Sequence, residues 1–100
     1  MPSRPLAIGL MQVDRDASLR ERTTDRVQLA LRVNELGYAL IETVELGRGA
    51  VADEAALAFV ERLCGAHDVQ VLAVSGVAVD SPVRRLADRA RLSIRRAEAS

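Results

Sequence analysis

The sequence predicts an α/β fold in which three strands and three helices alternate as β-α-β-α-β-α and form three layers. Three short apolar stretches, residues 6–14, 38–46 and 69–74, are separated by segments whose apolar residues recur at helical spacing. These separating segments are too long for hairpins, so the strands should run parallel in a small, mostly parallel sheet with helices on both faces. Right-handed crossovers predict the strand order 2-1-3, with the first strand in the centre.

The first strand ends in a charged residue. Residues 6–14 read LAIGLMQVD, and Pro5 precedes them. A short, continuous apolar run is typical of a strand that is buried on both faces of a parallel sheet. Open α/β sheets bind their ligands beside the loops that follow such strands. Asp14 is therefore a candidate site residue by its position.

A charged connection separates the first strand from the first helix. Residues 15–24 lack a steady apolar period, which predicts a flexible loop. Thr23 or Thr24 is the expected N-cap of the helix, and Gly37 is the expected left-handed stop. The predicted buried face of this helix is broad and comprises Val27, Leu29, Ala30, Leu31, Val33 and Leu36.

The remaining helices follow the second and third strands. Gly47 and Gly49 end the second strand, and Asp53 is expected to open the second helix. Ser81 and Pro82 favour the start of a third helix, because serine caps a helix and proline fits its first turn. This basic C-terminal helix is predicted to cover residues 81–97. Its predicted inner stripe comprises Val83, Leu86, Ala87, Ala90 and Ile94.

Residues 1–100 are predicted to form a single domain with an α/β core over residues 6–80. Three strands leave two open sheet edges, so an added short strand or a partner subunit should cover one of them. No apolar run approaches the roughly 18 residues of a membrane span, and the first residues lack the apolar region of a signal peptide. We therefore expect a cytoplasmic protein that does not bind membranes.

The composition limits the chemistry that the chain can perform. Cys64 is the only cysteine, and no second cysteine lies near His67 to form a zinc-like pair. The sequence therefore predicts no metal site and no cofactor. Aromatic residues make up only 2% of the chain, which excludes stacking platforms for single-stranded nucleic acid.

Charge is balanced overall but not along the chain. Residues 27–80 are net acidic, whereas residues 81–100 are net basic. A basic segment on an acidic body indicates either DNA binding or a homo-oligomer in which the arginines contact Glu54 and Glu61 of a second copy. The predicted DNA- or anion-binding residues are Arg84, Arg85, Arg89, Arg91, Arg95 and Arg96.

The run IGLMQVD, a polar loop, a helix ending in LGY and the following IETVELGRG resemble the opening of the serine recombinase (resolvase/invertase) catalytic domain. That domain typically begins with a strand of the form IGYxRVS. In this register Gly9 and Val13 match the family, while Leu10 replaces its tyrosine and Gln12 its arginine. Asp14 stands at the position of the nucleophilic serine.

These departures from the family pattern affect its chemistry. The family attacks a DNA phosphate with a hydroxyl and stabilises the developing charge with arginines. Asp14 would repel the phosphate, and VSGVAVDS replaces the family's arginine-containing LDRLGR motif after the third strand. The resemblance therefore implies a resolvase-like fold without catalysis, and Ser18 is left as a displaced nucleophile without a base or an arginine cluster.

Two functions remain open on this evidence. The first is a non-catalytic association module that binds itself, another protein or DNA through the arginine-rich helix. The second is a small phosphate- or metal-binding domain at the Asp14 end of the first strand. Asp14 and Asp16 could hold magnesium or a phosphate-bearing group, and Arg48 between two glycines could form an anion-binding nest. His67 falls at the opposite sheet edge, which favours a surface role.

Overall fold

The computed structural model describes residues 4–14, 16–47, 54–77, 79 and 81–97 of the 100-residue chain. The described strands and helices follow one another in a regular alternation. In chain order they are β1 (Leu6–Val13), α1 (Leu19–Glu35), β2 (Ala39–Gly47), α2 (Glu54–Ala66), β3 (Val69–Ser75), α3 (Ser81–Ala90) and β4 (Ser93–Arg96). The predicted α/β class is therefore confirmed.

The sheet has four strands in the order β2-β1-β3-β4, and every neighbouring pair is parallel. The predicted order 2-1-3 is confirmed, with β1 in the centre. The fourth strand lies against the outer edge of β3, where Val71 to Val74 pair with Ser93 to Arg96. An added short strand thus covers one of the two edges left by the predicted three-stranded sheet.

Helices lie on both faces of this sheet, so the three predicted layers are present and compatible with a resolvase-like architecture. On one face, Leu29 and Val33 of α1 pack with Ala7 and Met11 of β1. On the other, the strands pack against α2 and α3. The buried members of this larger core are Ile8, Leu10, Leu46, Val60, Val69, Leu72, Val74, Val77, Val83, Leu86, Ala87 and Leu92.

The start of α1 differs from the sequence prediction. The helix begins at Leu19, not after Thr23 or Thr24, so half of the predicted loop is helical. Ser18 is the N-cap, and its hydroxyl accepts the backbone N–H of Glu21 at 3.1 Å. The same hydroxyl donates to the Glu21 carboxylate at 3.2 Å. A local capping arrangement therefore overrides the weak apolar periodicity of this segment.

The outer side of α1 is another correction. Val27 and Leu31 were predicted to be buried, but their exposed fractions are 53% and 59%. Leu29 and Val33 point to the sheet and are 2% and 0% exposed. Only one helix contacts this face in the described structure, so it buries a single stripe of side chains and leaves the opposite stripe uncovered.

The third helix is shorter than the predicted 81–97. It ends at Ala90 because Arg91 adopts a left-handed conformation with a φ of 57°. The Leu92 N–H then donates to the Ala87 carbonyl at 2.8 Å, as in a Schellman ending. Ile94, predicted as the last inward residue of the helix, lies instead on β4 and packs against the larger core.

Candidate functional site

The strand order creates a switch point between β1 and β3. From β1 the chain crosses to β2 on one side, and from β2 it crosses to β3 on the other. Parallel α/β sheets commonly bind ligands outside the carboxyl ends of the two strands that flank such a point. Here β1 leads into Asp14 and β3 leads into Gly76, which has a φ of 67°.

A crevice of about 220 Å³ lies at this switch point, and we call it the switch-point crevice. Its lining residues come from the end of β1, the start of α1 and the turn after β3. They are Gln12, Asp14, Ala17, Glu21, Asp25 and Gly76. Asp14 is thus confirmed at the edge of the sheet where the sequence placed it, while Asp16 is exposed in the turn before α1.

The switch-point crevice is acidic. Carboxylates of Asp14, Glu21 and Asp25 line it, and among the described lining residues none is basic. This charge opposes phosphate and favours a cation or a neutral hydrogen-bond donor. Nevertheless, the described residues contain no group of three or more His, Cys, Asp or Glu side chains arranged to hold a metal ion.

A second depression, the α1 groove, continues from the crevice along the side of α1. It encloses about 500 Å³, a volume within the usual range of small-molecule pockets. Both polar and apolar side chains line it. The lining residues are Met11, Gln12, Asp25, Gln28, Leu29, Leu31, Arg32, Glu35, Ser75, Gly76 and Ala97.

Arg32 is the only basic residue among the described side chains that line the α1 groove. Its Nη1 donates to the Glu35 carboxylate at 3.1 Å. Its Nε is buried and has no hydrogen-bond partner in the part of the chain that the structure describes. A buried donor without an acceptor carries an energetic cost.

Ion pairs fix α1 to the neighbouring strand β2. The carboxylate of Glu45 accepts from Arg22 at 2.5 Å and from the Nε of Arg26 at 3.0 Å. Donation from the Arg22 guanidinium holds the pKa of the Glu45 carboxyl below its ordinary value, and Arg26 adds to this effect. The same contact raises the pKa of Arg22. The helix that borders the crevice is therefore anchored through charged groups as well as through its core.

The six arginines of the C-terminal segment lie on two elements and the turn between them. Arg84, Arg85 and Arg89 belong to α3, Arg91 lies in the turn, and the last two belong to β4. We call this set of exposed side chains, Arg84, Arg85, Arg89, Arg91, Arg95 and Arg96, the basic edge. The sequence located these residues but assigned them to one helix.

The basic edge is partly neutralised from within the same chain. The Nε of Arg89 donates to the Glu61 carboxylate of α2 at 2.8 Å. Glu61 had been predicted as a contact for a second copy. At about 100° per residue, Arg84 is turned about 140° away from Arg89 and therefore away from α2, whose Glu54 and Glu61 line a depression together with Arg85 and Arg89. Within the described residues, Arg84, Arg85 and Arg91 form no ion pair.

The two arginines of β4 point to opposite faces of the sheet, as successive strand residues do. The Nε of Arg95 donates to the Tyr38 hydroxyl at 3.4 Å, on the face that carries α1. The Nη1 of Arg96 donates to the Val77 carbonyl at 3.4 Å, on the face that carries α3. The basic edge therefore wraps around the outer strand.

The remaining candidates among the described residues lie outside the crevice and the basic edge. The hydroxyl of Ser18 forms the N-cap of α1, so the residue has a structural role there. His67 is exposed at the start of β3, away from the switch-point crevice, as expected. Cys64 is half-buried on α2, and burial raises the pKa of its thiol. Arg48, Gly49 and Asp53 lie outside the described residues.

Within the described residues no helix is both long enough and apolar enough to cross a bilayer. Comparison with models of protein families, with curated proteins and with solved structures gave no match for this chain.

Proposed function

We propose that this protein is a non-catalytic, resolvase-like association module of the cytoplasm that binds duplex DNA through its basic edge. One observation carries the proposal: six exposed arginines are gathered on α3, the following turn and β4. Guanidinium groups bind phosphate oxygens in a planar, forked geometry. Because base edges are not required for such contacts, the binding is independent of DNA sequence.

The overall charge makes the local concentration of arginines significant. The chain has equal numbers of basic and acidic residues, so net charge does not attract it to a polyanion. Attraction must come from a local patch, and Arg91, Arg95 and Arg96 supply positive charge at the β4 side of the sheet, whereas Arg85 and Arg89 line a depression beside Glu54 and Glu61 of α2.

The conformation of Arg91 also supports a role for the basic edge. A non-glycine residue in the left-handed region costs about 1–2 kcal/mol, and glycine is the usual residue at this position of a helix ending. The first helix has Gly37 at the equivalent position, with a φ of 92°. Strained residues of this kind cluster at functional sites, where the surrounding structure holds them in place.

The absence of catalysis is proposed from the chemistry at the end of β1. Gln12 and Asp14 line the switch-point crevice, so an amide and a carboxylate occupy the edge at which the resembled family holds an arginine and a serine. A carboxylate repels the anionic phosphodiester and does not stabilise the negative charge that develops on it during cleavage. Association is therefore favoured over strand cleavage.

The test is fluorescence anisotropy with a labelled duplex at several salt concentrations. We expect weak binding that depends strongly on salt. The logarithm of the association constant should fall by about 0.9 for each phosphate contacted when the salt concentration rises tenfold. The double variant Arg84→Gln/Arg85→Gln should weaken binding and reduce this slope by about 1.8 if both side chains contact phosphates. The matched control, Arg4→Gln/Arg62→Gln, removes the same charge from exposed positions elsewhere.

Three results would overturn the proposal. They are no binding at low salt, binding that does not respond to salt, and equal losses in the two double variants. Cleavage or covalent capture of the duplex by the wild-type protein would overturn the non-catalytic part alone. A gel assay under denaturing conditions separates that outcome from simple binding.

The second candidate function is small-ligand binding at the switch point. It is favoured by the α1 groove, which is lined by Arg32 and shares Gln12, Asp25 and Gly76 with the switch-point crevice. Magnesium and inorganic phosphate, titrated separately to millimolar levels, are suitable probes. Shifts of the Gln12 and Gly76 amide signals that disappear in Asp14→Ala but persist in Asp16→Ala would support it. Unchanged spectra with both probes would exclude it.

A further inference from the structure

The side of α1 that faces away from the sheet has two exposed apolar residues that could pair with a second copy of the chain. Val27 and Leu31 are one helical turn apart on the side of α1 that faces away from the sheet, and more than half of each side chain is exposed. Single exposed apolar residues are ordinary, but adjacent ones on an uncovered helix face form a continuous patch. Charged residues flank this patch along the helix, with Arg20 before it and Glu35 after it.

We propose that two copies of the chain pair through this stripe, with their α1 helices antiparallel about a two-fold axis. The proposal rests on the association role above and names a second copy as one partner. We call the four residues Arg20, Val27, Leu31 and Glu35 the α1 seam. Their helical spacing places them on one side of α1, opposite the buried Leu29 and Val33.

The order of charges along the α1 seam identifies a second copy as the occupant. A two-fold interface brings the same patch of both subunits together, so the patch must complement itself. When the helices run antiparallel, Val27 of each copy meets Leu31 of the other. Arg20 then falls within one helical turn of the partner's Glu35, which also accepts from Arg32 of its own chain, and the same arrangement forms at the other end. The seam thus has an apolar centre and opposite charges at its ends.

The anchoring of α1 supports this surface as a docking site. The ion pairs of Arg22 and Arg26 with Glu45 fix the helix from its sheet side, so the seam is presented in a defined orientation before binding. Preorganisation lowers the ordering cost of association. Two apolar side chains from each copy form a small interface, so the expected dimer is weak.

Sedimentation equilibrium without DNA, at protein concentrations up to about 1 mM, tests the proposal because that range reaches the weakest specific affinities. Leu31→Glu should raise the dimer dissociation constant at least tenfold. Leu19→Glu is the matched control, since Leu19 is a leucine of the same helix that is 78% exposed and lies off the seam. Both positions are exposed, and circular dichroism checks that both variants fold.

A charge-reversal cycle tests the antiparallel geometry. Arg20→Glu and Glu35→Arg should each weaken the dimer severalfold by placing like charges together, and the double variant should restore it. A wild-type chain that stays monomeric up to 1 mM would overturn the seam. So would equal effects of Leu31→Glu and Leu19→Glu, or a double variant that is weaker than both single variants.

The two proposals can fail separately. DNA binding is measured at concentrations at which the chain is monomeric, and the Arg84→Gln/Arg85→Gln variant should dimerise as the wild type does. Loss of dimerisation with retained, salt-dependent DNA binding would overturn the α1 seam and leave the proposed function intact. Dimerisation without DNA binding would overturn the proposed function and leave the α1 seam intact.

Discussion

The Cδ2 atom of Leu29 lies 2.8 Å from the point where a β-carbon on Gly9 would stand. The α1 helix therefore approaches the central strand at a distance that only glycine permits without movement. Two further side chains border the same point, with Leu40 Cδ1 at 3.2 Å and Thr43 Oγ1 at 3.3 Å. The missing side chain of Gly9 therefore lets α1 pack closely against β1.

Gly9→Ala should lower the free energy of unfolding by about 1–3 kcal/mol, because the added methyl group displaces Leu29 in a packed layer. Urea denaturation followed by circular dichroism measures the change. Gly65→Ala is the control, since Gly65 lies in α2 with no atom within 4 Å of the added β-carbon. The control should be neutral or gain up to about 1 kcal/mol from better helix propensity. Equal responses would contradict the close approach.

Ser18→Ala should cost about 1 kcal/mol of stability because the Glu21 N–H loses its capping acceptor. Thr24→Ala tests the alternative start of the helix. Thr24 lies within the body of α1, where alanine is the better helix former, so this variant should lose nothing and can gain a few tenths of a kcal/mol. Thermal unfolding of the two variants side by side distinguishes the caps. A larger loss from Thr24→Ala would place the helix start there.

Arg91→Gly should raise the free energy of unfolding by about 0.5–1 kcal/mol, because glycine adopts a φ of 57° without the strain that a β-carbon introduces. The mirror variant Gly37→Arg places the same side chain in the equivalent ending of α1. It should cost about 1 kcal/mol, although nothing lies within 4 Å of its added β-carbon. Denaturant titration measures both, and stabilisation by Gly37→Arg would refute the argument from strain.

The pKa of the Glu45 carboxyl is lowered in the folded state, mainly by donation from Arg22. A lowered pKa means that ionised Glu45 stabilises the fold above its unfolded pKa of about 4.3, and that this contribution is lost as the pH falls through the folded pKa. Glu45→Gln should therefore cost about 1 kcal/mol at pH 7, with the difference from wild type narrowing below about pH 4.3.

Glu42→Gln is the control for this pH dependence. Glu42 is exposed on the same strand, and its carboxylate accepts from the Thr43 backbone N–H. When thermal unfolding is recorded between pH 7 and pH 3, Glu42→Gln should cost less stability at pH 7 than Glu45→Gln, because the ion pairs of Arg22 and Arg26 are made with Glu45. A constant offset between Glu45→Gln and wild type at every pH would show that the ion pairs do not govern the effect.

Much of the fold could be predicted because strands and loops carry local signals. The apolar run of β1 and the stop at Gly37 are each visible within a few residues of sequence. Two helix boundaries, the start of α1 and the end of α3, were predicted wrongly. Ser18 and Glu21 have capping-box spacing, a signal that could have located the start of α1. The end of α3 has no such signal, because Arg91 occupies a position that usually holds glycine.

The candidate sites were harder to predict because their geometry depends on distant parts of the chain. Asp14 could be placed at the sheet edge from the strand pattern, but its neighbour Gly76 in the crevice follows a different strand. The pairing of Arg89 with Glu61 within one chain requires α2 and α3 to lie side by side. Likewise, the exposure of Val27 follows from the coverage of one face by a single helix, which periodicity does not reveal.

The central position of β1 has a consequence for how the chain folds. Its partners β2 and β3 follow it by some thirty and sixty residues in the register Leu6 with Ala39 and Leu6 with Val69. During synthesis, β1 therefore leaves the ribosome with both hydrogen-bonding edges unsatisfied and must wait for β2 before any sheet exists. Non-local parallel pairing of this kind folds slowly and exposes apolar surface meanwhile. β1 is therefore paired on both sides only after β3 has been made, and β3 itself only after β4.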